Sequence, residues 1–126
     1  MKRIYISILF LSIAFIGSAV QLGYVSAKTD LFTSLIKNTD KEVEKENYSE
    51  AIELCKKMDK KWKDSSETID MMLNHEAVDR IGVNFSKMRS FIENKRIDLY
   101  YAESINAKKE LAYIKASECL SIENIL

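Results

Sequence analysis

The absence of proline is the feature that most limits what this chain can fold into. No proline and three glycines, Gly17, Gly23 and Gly82, occur among its 126 residues. Hairpins and β-sandwiches depend on these two residue types for their turns. A chain of this length forms one domain of roughly 100 residues and leaves little room for a second lobe. The composition therefore predicts a single all-α domain and excludes a multidomain enzyme.

The N-terminus has the charge pattern of a segment that is inserted into a membrane. Lys2 and Arg3 precede an unbroken apolar run over residues 4–20, and the first acidic residue is Asp30. Because flanking basic residues stay in the cytoplasm, we expect the rest of the chain to be extracytoplasmic. A helix over residues 4–25 is about 33 Å long at ~1.5 Å per residue, enough to cross a ~30 Å hydrocarbon layer.

The N-terminal segment is either retained as a membrane anchor or cleaved as a signal peptide. Val25-Ser26-Ala27 has the small-residue pattern of a signal-peptide cleavage site, whereas the apolar run exceeds the ~7–15 residues of a usual signal-peptide core. We therefore divide the chain into a membrane anchor or signal segment, residues 1–27, and an extracytoplasmic helical domain, residues 28–126. The prediction is a single-pass membrane protein, with secretion after cleavage near Ala27 as the alternative.

Hydrophobic periodicity predicts four helices, at about residues 28–45, 48–73, 76–94 and 97–120. No proline or glycine separates the anchor from the first helix, so the two can form one rod. Asn47 and Glu50 form a capping-box pattern, and Asn94 suits a left-handed C-cap. Short connections favour antiparallel neighbours. We predict an up-and-down antiparallel bundle of three helices plus the N-terminal rod.

The fourth predicted helix has apolar residues all around it. One stripe contains Tyr101, Ile105, Ala112 and Cys119, a second contains Tyr100, Ala107, Leu111 and Ile114, and the remaining apolar residues are Leu99, Ala102, Tyr113 and Leu120. Such a helix is packed on two sides or offers a surface to a partner.

The aromatic and cysteine side chains fall at core spacings. We assign Trp62, Phe85, Phe91 and Tyr101 to the core. Cys55 and Cys119 also lie on apolar stripes, and in an up-and-down bundle the second and fourth helices are parallel, which separates these residues by about 22 Å along the axis. A disulfide needs Cα atoms within ~7 Å. We therefore predict two free, buried thiols.

One histidine and its acidic neighbours raise the question of a metal site. His75, Glu76 and Asp79 partly match the His-Glu-x-x-His motif of zinc hydrolases, but the second histidine is missing. We interpret them as the polar start of a helix, with the acids favoured by the helix dipole.

The lysine-rich segment from Lys56 to Lys63 raises the question of lipid or nucleic-acid binding. Its lysines have acidic neighbours four residues away, in the pairs Glu53–Lys57, Asp59–Lys63 and Lys60–Asp64, which favours a solvated, ion-paired face. The formal net charge of the chain is zero, so we expect no nucleic-acid partner.

Taken together, several segments resemble the uncharacterised bacterial domain-of-unknown-function family 4363. They are the basic-apolar start, Asn47-Tyr48-Ser49-Glu50-Ala51, Lys61-Trp62, His75-Glu76 with Asp79, Arg89-Ser90-Phe91-Ile92 and Ser121-Ile122-Glu123-Asn124-Ile125-Leu126. The resemblance implies a small membrane-anchored helical protein. It implies no activity and no catalytic, cofactor or metal residues.

Our leading hypothesis is a membrane-anchored extracytoplasmic protein of the cell envelope that is not an enzyme and acts as an accessory subunit. We expect it to bind another, unidentified membrane or envelope protein and to contact the membrane through residues 4–25. The spread apolar surface of the fourth helix and the apolar tail, Ile122, Ile125 and Leu126, motivate this hypothesis. The alternatives are a small metal-dependent hydrolase that uses His75 and nearby carboxylates, and a binder of anionic lipid surfaces that uses the Lys56 to Lys63 face.

Overall fold

The protein is all-α, as predicted. A computed structural model describes residues 1–70 and 74–123, of which residues 70, 121 and 122 are described by their backbone alone. Its helices are α1 (Lys2–Glu44), α2 (Tyr48–Asp70), α3 (His75–Glu93) and α4 (Ile97–Glu123). The predicted end of the second helix at residue 73 and the last residues of the tail lie outside the described residues.

α1 is one uninterrupted helix, which confirms the predicted rod. Its first 20 residues are exposed apart from Ser18, which is half-buried. An 18-residue window within α1 has a mean hydropathy of 2.0, and the helix is long and apolar enough to cross a membrane. Burial in the bundle begins at Val25, which is 2% exposed. The exposed apolar segment and the folded domain therefore share a single helix with no linker between them.

The rest of α1 and the other three helices form an up-and-down four-helix bundle. α1 packs against α2 and α4, and α3 packs against the same two helices. Asp40 near the end of α1 bonds Ser104 near the start of α4, whereas Asp30 bonds Lys115 further along α4. This order shows that α1 and α4 are antiparallel. Short connections give the same relation between the other neighbours, so α2 and α4 run parallel.

Three aromatic rings form the centre of the core. Trp62 of α2 meets Phe32 of α1 and Phe85 of α3 edge-on, with ring centroids 5.0 and 5.7 Å apart. Phe32 and Phe85 stack across the bundle at 5.7 Å. The Trp62 indole N–H donates to the Val78 carbonyl over 3.1 Å. Trp62 and Phe85 are buried as predicted, and Phe91 packs against the core while remaining half-buried.

The α1–α2 and α3–α4 turns, at the end of the bundle away from the apolar segment, share one geometry. At the end of α1, the Asn47 N–H donates to the Glu42 carbonyl and the Glu46 N–H, at a φ of 59°, to the Val43 carbonyl. At the end of α3, the Arg96 N–H donates to the Phe91 carbonyl and the Lys95 N–H to the Ile92 carbonyl, which is a Schellman arrangement. The residue with positive φ is Lys95, at 56°, whereas Asn94 has a φ of −91°. The predicted left-handed cap at Asn94 was therefore wrong by one residue. Since the helix continues through Glu93, the left-handed position falls two residues beyond it.

Candidate interaction surface

The sequence left open whether α4 is packed on two sides or offers a surface, and the bundle geometry answers this. The predicted second stripe is buried, and Ser104 lies on the same buried side. The opposite side is exposed and mostly apolar. We call it the α4 outer face; its apolar residues are Ala102, Ile105, Ala112, Tyr113, Ala116, Cys119 and Leu120, and the polar residues Asn106 and Lys109 lie on the same side.

The α4 outer face stands out from the other helix surfaces of the bundle. Ile105, Tyr113 and Leu120 are 49%, 64% and 59% exposed. Beyond the N-terminal apolar segment, the large hydrophobic residues exposed elsewhere in the described chain are Leu31 and Val83, on two different helices. Scattered apolar residues are normal on a protein surface, but a contiguous strip of them is typical of a contact surface. The strip follows α4 for 18 residues, or about 27 Å.

A partly buried polar cluster fixes α4 against α1. One oxygen of the Asp40 carboxylate accepts from the Tyr100 hydroxyl at 2.6 Å and the Ser104 hydroxyl at 2.7 Å, while the other accepts from Lys108 at 2.9 Å. Burial, and then the bond to Asp40, raise the pKa of the Tyr100 hydroxyl above its ordinary value. Tyr100 is therefore a neutral donor and a poor acid. All three groups donate to one carboxylate, which is an arrangement for holding two helices together.

The residues of the Asp40 cluster were not singled out from the sequence. The signal that could have identified them is Ser104, a polar residue that lies on the same side of α4 as the buried residues Tyr100 and Leu111. A buried hydroxyl requires a hydrogen-bond partner. The partner lies 64 residues away in the sequence, on α1, and periodicity within one helix cannot identify it.

His75 and its neighbours form the polar start of α3, as we interpreted them. The Asn74 side chain caps the helix by accepting from the Glu76 N–H at 3.0 Å. Glu76 lies in the first turn and pairs with Arg80 at 2.9 Å. Arg80 also contacts Glu110 of α4 at 3.4 Å. Among the described residues, no group of three or more His, Cys, Asp or Glu side chains is arranged to hold a metal ion.

An open groove of about 680 Å³ lies between α2 and α3. Trp62, Val78 and Gly82 line it, and its charged lining residues include Lys63 and Asp79. Because both signs of charge are present, the groove has no evident preference for an anion or a cation. The only sequence signal for this groove is Gly82, the one glycine in α2, α3 and α4.

The lysine-rich face of α2 is exposed and partly ion-paired. Asp59 pairs with Lys63 at 3.6 Å, as predicted from their spacing. Glu53 contacts Lys56 at 3.2 Å, three residues on, in place of the predicted Lys57. Residues three or four apart are neighbours on one helix face, and here the Glu53 carboxylate pairs with the nearer lysine, Lys56.

The two cysteines are free, but their surroundings differ. Cys55 is buried as predicted, and burial raises the pKa of its thiol from 9.0 to about 12. Cys119 is exposed, so the prediction that it is buried was wrong. The reason is that its stripe lies on the α4 outer face, and the core is formed by the second stripe.

The model of the domain of unknown function DUF4363 matches residues 19–125. The chain belongs to the DUF4363 family. No curated protein and no solved structure matches it. The DUF4363 region starts within α1, ahead of Gln21 and Val25, so the family unit includes the part of α1 that joins the apolar segment to the bundle.

Proposed function

We propose that this DUF4363 protein is a single-pass membrane protein whose extracytoplasmic bundle is a non-enzymatic accessory subunit of the cell envelope. Its partner is another membrane or envelope protein, which docks on the α4 outer face. The observation that carries the proposal is that face, a strip of exposed apolar residues on a helix whose other side is already buried. An exposed strip of this kind is costly in water and is typical of protein contact surfaces.

Retention of the anchor is supported by how α1 enters the bundle. Val25 is buried, and Gln21 donates to Glu118 of α4 at 3.1 Å. Cleavage near Ala27 would remove both residues from the folded domain, together with part of the DUF4363 region. A protein retained by this helix has its bundle next to the bilayer, on the side opposite Lys2 and Arg3.

The distance of the lysine-rich face from the anchor argues against the anionic-lipid binder. Phe32 lies 11 residues beyond Gln21, or about 16 Å of helix, and it contacts Trp62. Because α2 is antiparallel to α1, it runs towards the anchor and its start is the end far from the membrane. Lys57, five residues before Trp62, therefore lies roughly 8 Å further out than Trp62. Charge interactions with a membrane surface are screened over about 8 Å at physiological ionic strength. The Lys56 to Lys63 face is therefore too remote to be held by headgroups in an upright bundle.

Site-specific photo-crosslinking in the native membrane tests the proposed contact. A photoreactive amino acid replaces Ile105 or Tyr113 on the α4 outer face, and Val83 of α3 is the matched control because it is also apolar and 52% exposed. We expect one adduct band from both α4 positions and none from Val83. The variant Ile105→Glu should abolish the adduct formed at position 113 while the far-ultraviolet circular dichroism is unchanged. Equal adducts at all three positions would exclude a specific surface on α4.

The orientation is tested separately with an impermeant thiol reagent on intact cells. The substituted residue is Lys60, exposed on α2, as Lys60→Cys in a Cys119→Ser background. Cys55 does not interfere because it is buried. Labelling without lysis is expected for an extracytoplasmic bundle, whereas labelling only after lysis would reverse the topology.

A further inference from the structure

Lys109 is the one charged residue on the α4 outer face. The other charged residues of α4 between Ala102 and Leu120 each contact α1 or α3; they are Glu103, Lys108, Glu110, Lys115 and Glu118. Lys109 is exposed, and among the described residues its amine has no hydrogen bond or ion pair. The residues three and four positions away along the helix are uncharged; they are Ile105, Asn106, Ala112 and Tyr113. Lys109 therefore differs from every other charged residue in this part of α4.

The exposed residues around Lys109 have the spacing of one face of a coiled coil. They recur at alternating steps of three and four along α4, in the order Ala102, Ile105, Lys109, Ala112, Ala116 and Cys119. Residues at these steps form a seam into which a second helix inserts its own side chains. Three of the six are alanines, and small side chains let two helix axes approach to the lower end of the usual range of about 8–10 Å. The α4 outer face therefore fits an α-helix.

We propose that the partner covers the α4 outer face with an α-helix that places a carboxylate against the Lys109 amine. This inference rests on the proposed function, because it names the chemistry of the surface that docks on α4. Lys109 lies near the middle of the α4 outer face, so a helix that covers this face also removes the amine from water. A charge removed from water needs an oppositely charged partner, which a purely apolar helix cannot supply.

A second copy of this chain fits the α4 outer face less well. Two copies anchored in one membrane are related by an axis along the membrane normal, which makes their α4 helices parallel. In a parallel pair with this seam, equivalent residues face each other, so Lys109 would meet the same residue of the other copy. Like charges opposed across an interface are unfavourable. The charge of Lys109 therefore favours a different chain, with an acidic residue at this level of its helix.

Zero-length cross-linking in the native membrane tests the ion pair. A water-soluble carbodiimide joins an amine to a carboxylate only where the two are in direct contact, so it should link Lys109 to the partner. Lys109→Arg keeps the positive charge but does not react; it should lose this adduct and keep the photo-adduct from position 113. Lys109→Glu should lower the photo-adduct about tenfold or more, because it opposes two carboxylates. Lys60→Glu is the matched control, since it makes the same charge change at an exposed lysine of α2 and should leave both adducts unchanged.

The helical form of the partner is tested by mapping the photo-adducts. Positions 105 and 112 are one heptad apart, so their adducts should lie about seven residues apart in the partner sequence, as on one helix packed along α4. An irregular or much wider spacing would overturn the helical partner.

The outcomes separate this inference from the proposed function. Photo-adducts that are equally strong in Lys109→Glu and in the unchanged chain would overturn the ion pair and leave the docking surface standing. A carbodiimide adduct that persists in Lys109→Arg would overturn it as well, because another amine would then make the contact. An adduct with twice the mass of the chain would identify a second copy and overturn the different partner. The absence of any photo-adduct from the unchanged chain would overturn both the inference and the proposed function.

Discussion

Replacing Trp62 tests the central feature of this fold, which is an aromatic layer shared by three helices. The ring is 4% exposed and touches Phe32 of α1 and Phe85 of α3. Truncation of a buried large aromatic residue to alanine costs about 3–5 kcal/mol. We expect Trp62→Ala to fall in the upper half of that range, because two edge-on ring contacts of about 0.5–1.5 kcal/mol each are lost with the packing.

A second substitution separates the ring contacts from the hydrogen bond. Trp62→Phe keeps an aromatic ring in the layer but removes the indole N–H that donates to Val78. That bond contributes about 0.5–1.5 kcal/mol, because the carbonyl keeps its partner within the helix. With the smaller ring, we expect a total loss of roughly 1–2 kcal/mol, well below that of the alanine variant.

The measurement is equilibrium unfolding of the full chain by urea in a mild detergent, followed by far-ultraviolet circular dichroism. The midpoint should fall while the slope with denaturant stays unchanged, which shows that the same surface unfolds. Val83→Ala is the control, since exposed substitutions usually change stability by less than about 0.5 kcal/mol. A loss below about 1 kcal/mol for Trp62→Ala, or equal losses for the alanine and phenylalanine variants, would refute the aromatic layer as the core.

Three further predictions concern single positions. Gly82→Ala should stabilise the bundle by up to about 1 kcal/mol in the same assay, because a Cβ would lie 3.5 Å from Trp62, an ordinary contact, and alanine favours the helix. Lys95→Gly should also stabilise, by up to about 1 kcal/mol, since it removes a side chain from a left-handed position; a destabilised variant would contradict the turn geometry. Under native conditions iodoacetamide should label Cys119 and leave Cys55 unmodified until the protein is unfolded, and mass spectrometry that finds both labelled would contradict the burial of Cys55.

Periodicity predicted the parts of the fold that depend on one helix at a time. Helix number, helix ends to within a few residues and the buried side of α2 all follow from the spacing of apolar residues. The uninterrupted α1 follows from the lack of proline. The same reasoning failed at Asn94, because the preferences of residues for the left-handed conformation indicate which residue type suits such a cap but not the position at which it falls. The actual position is set by where the helix hydrogen bonds stop.

The candidate surface was only partly predictable, because it depends on which stripe of α4 the other helices cover. Two apolar stripes and further apolar residues around the fourth helix were visible in the sequence, and no single-helix pattern shows which stripe is buried. Cys119 was assigned to the core for this reason. The buried side of α4 is the one that carries Ser104, whose hydroxyl donates to Asp40 on α1. A contact between residues 64 positions apart cannot be derived from local spacing.

The Asp40 cluster sets the register of α4 against α1. A largely apolar interface can slip by one helical turn, about 5.4 Å, at modest cost. Tyr100, Ser104 and Lys108 are one turn apart, so such a slip of α4 would move each donor to its neighbour's position and leave the Asp40 carboxylate without one of its three partners. Loss of a hydrogen-bond partner from a partly buried carboxylate is unfavourable. Asp40 therefore selects one register of α4 against α1, in which Ser104 faces the core and the α4 outer face is exposed.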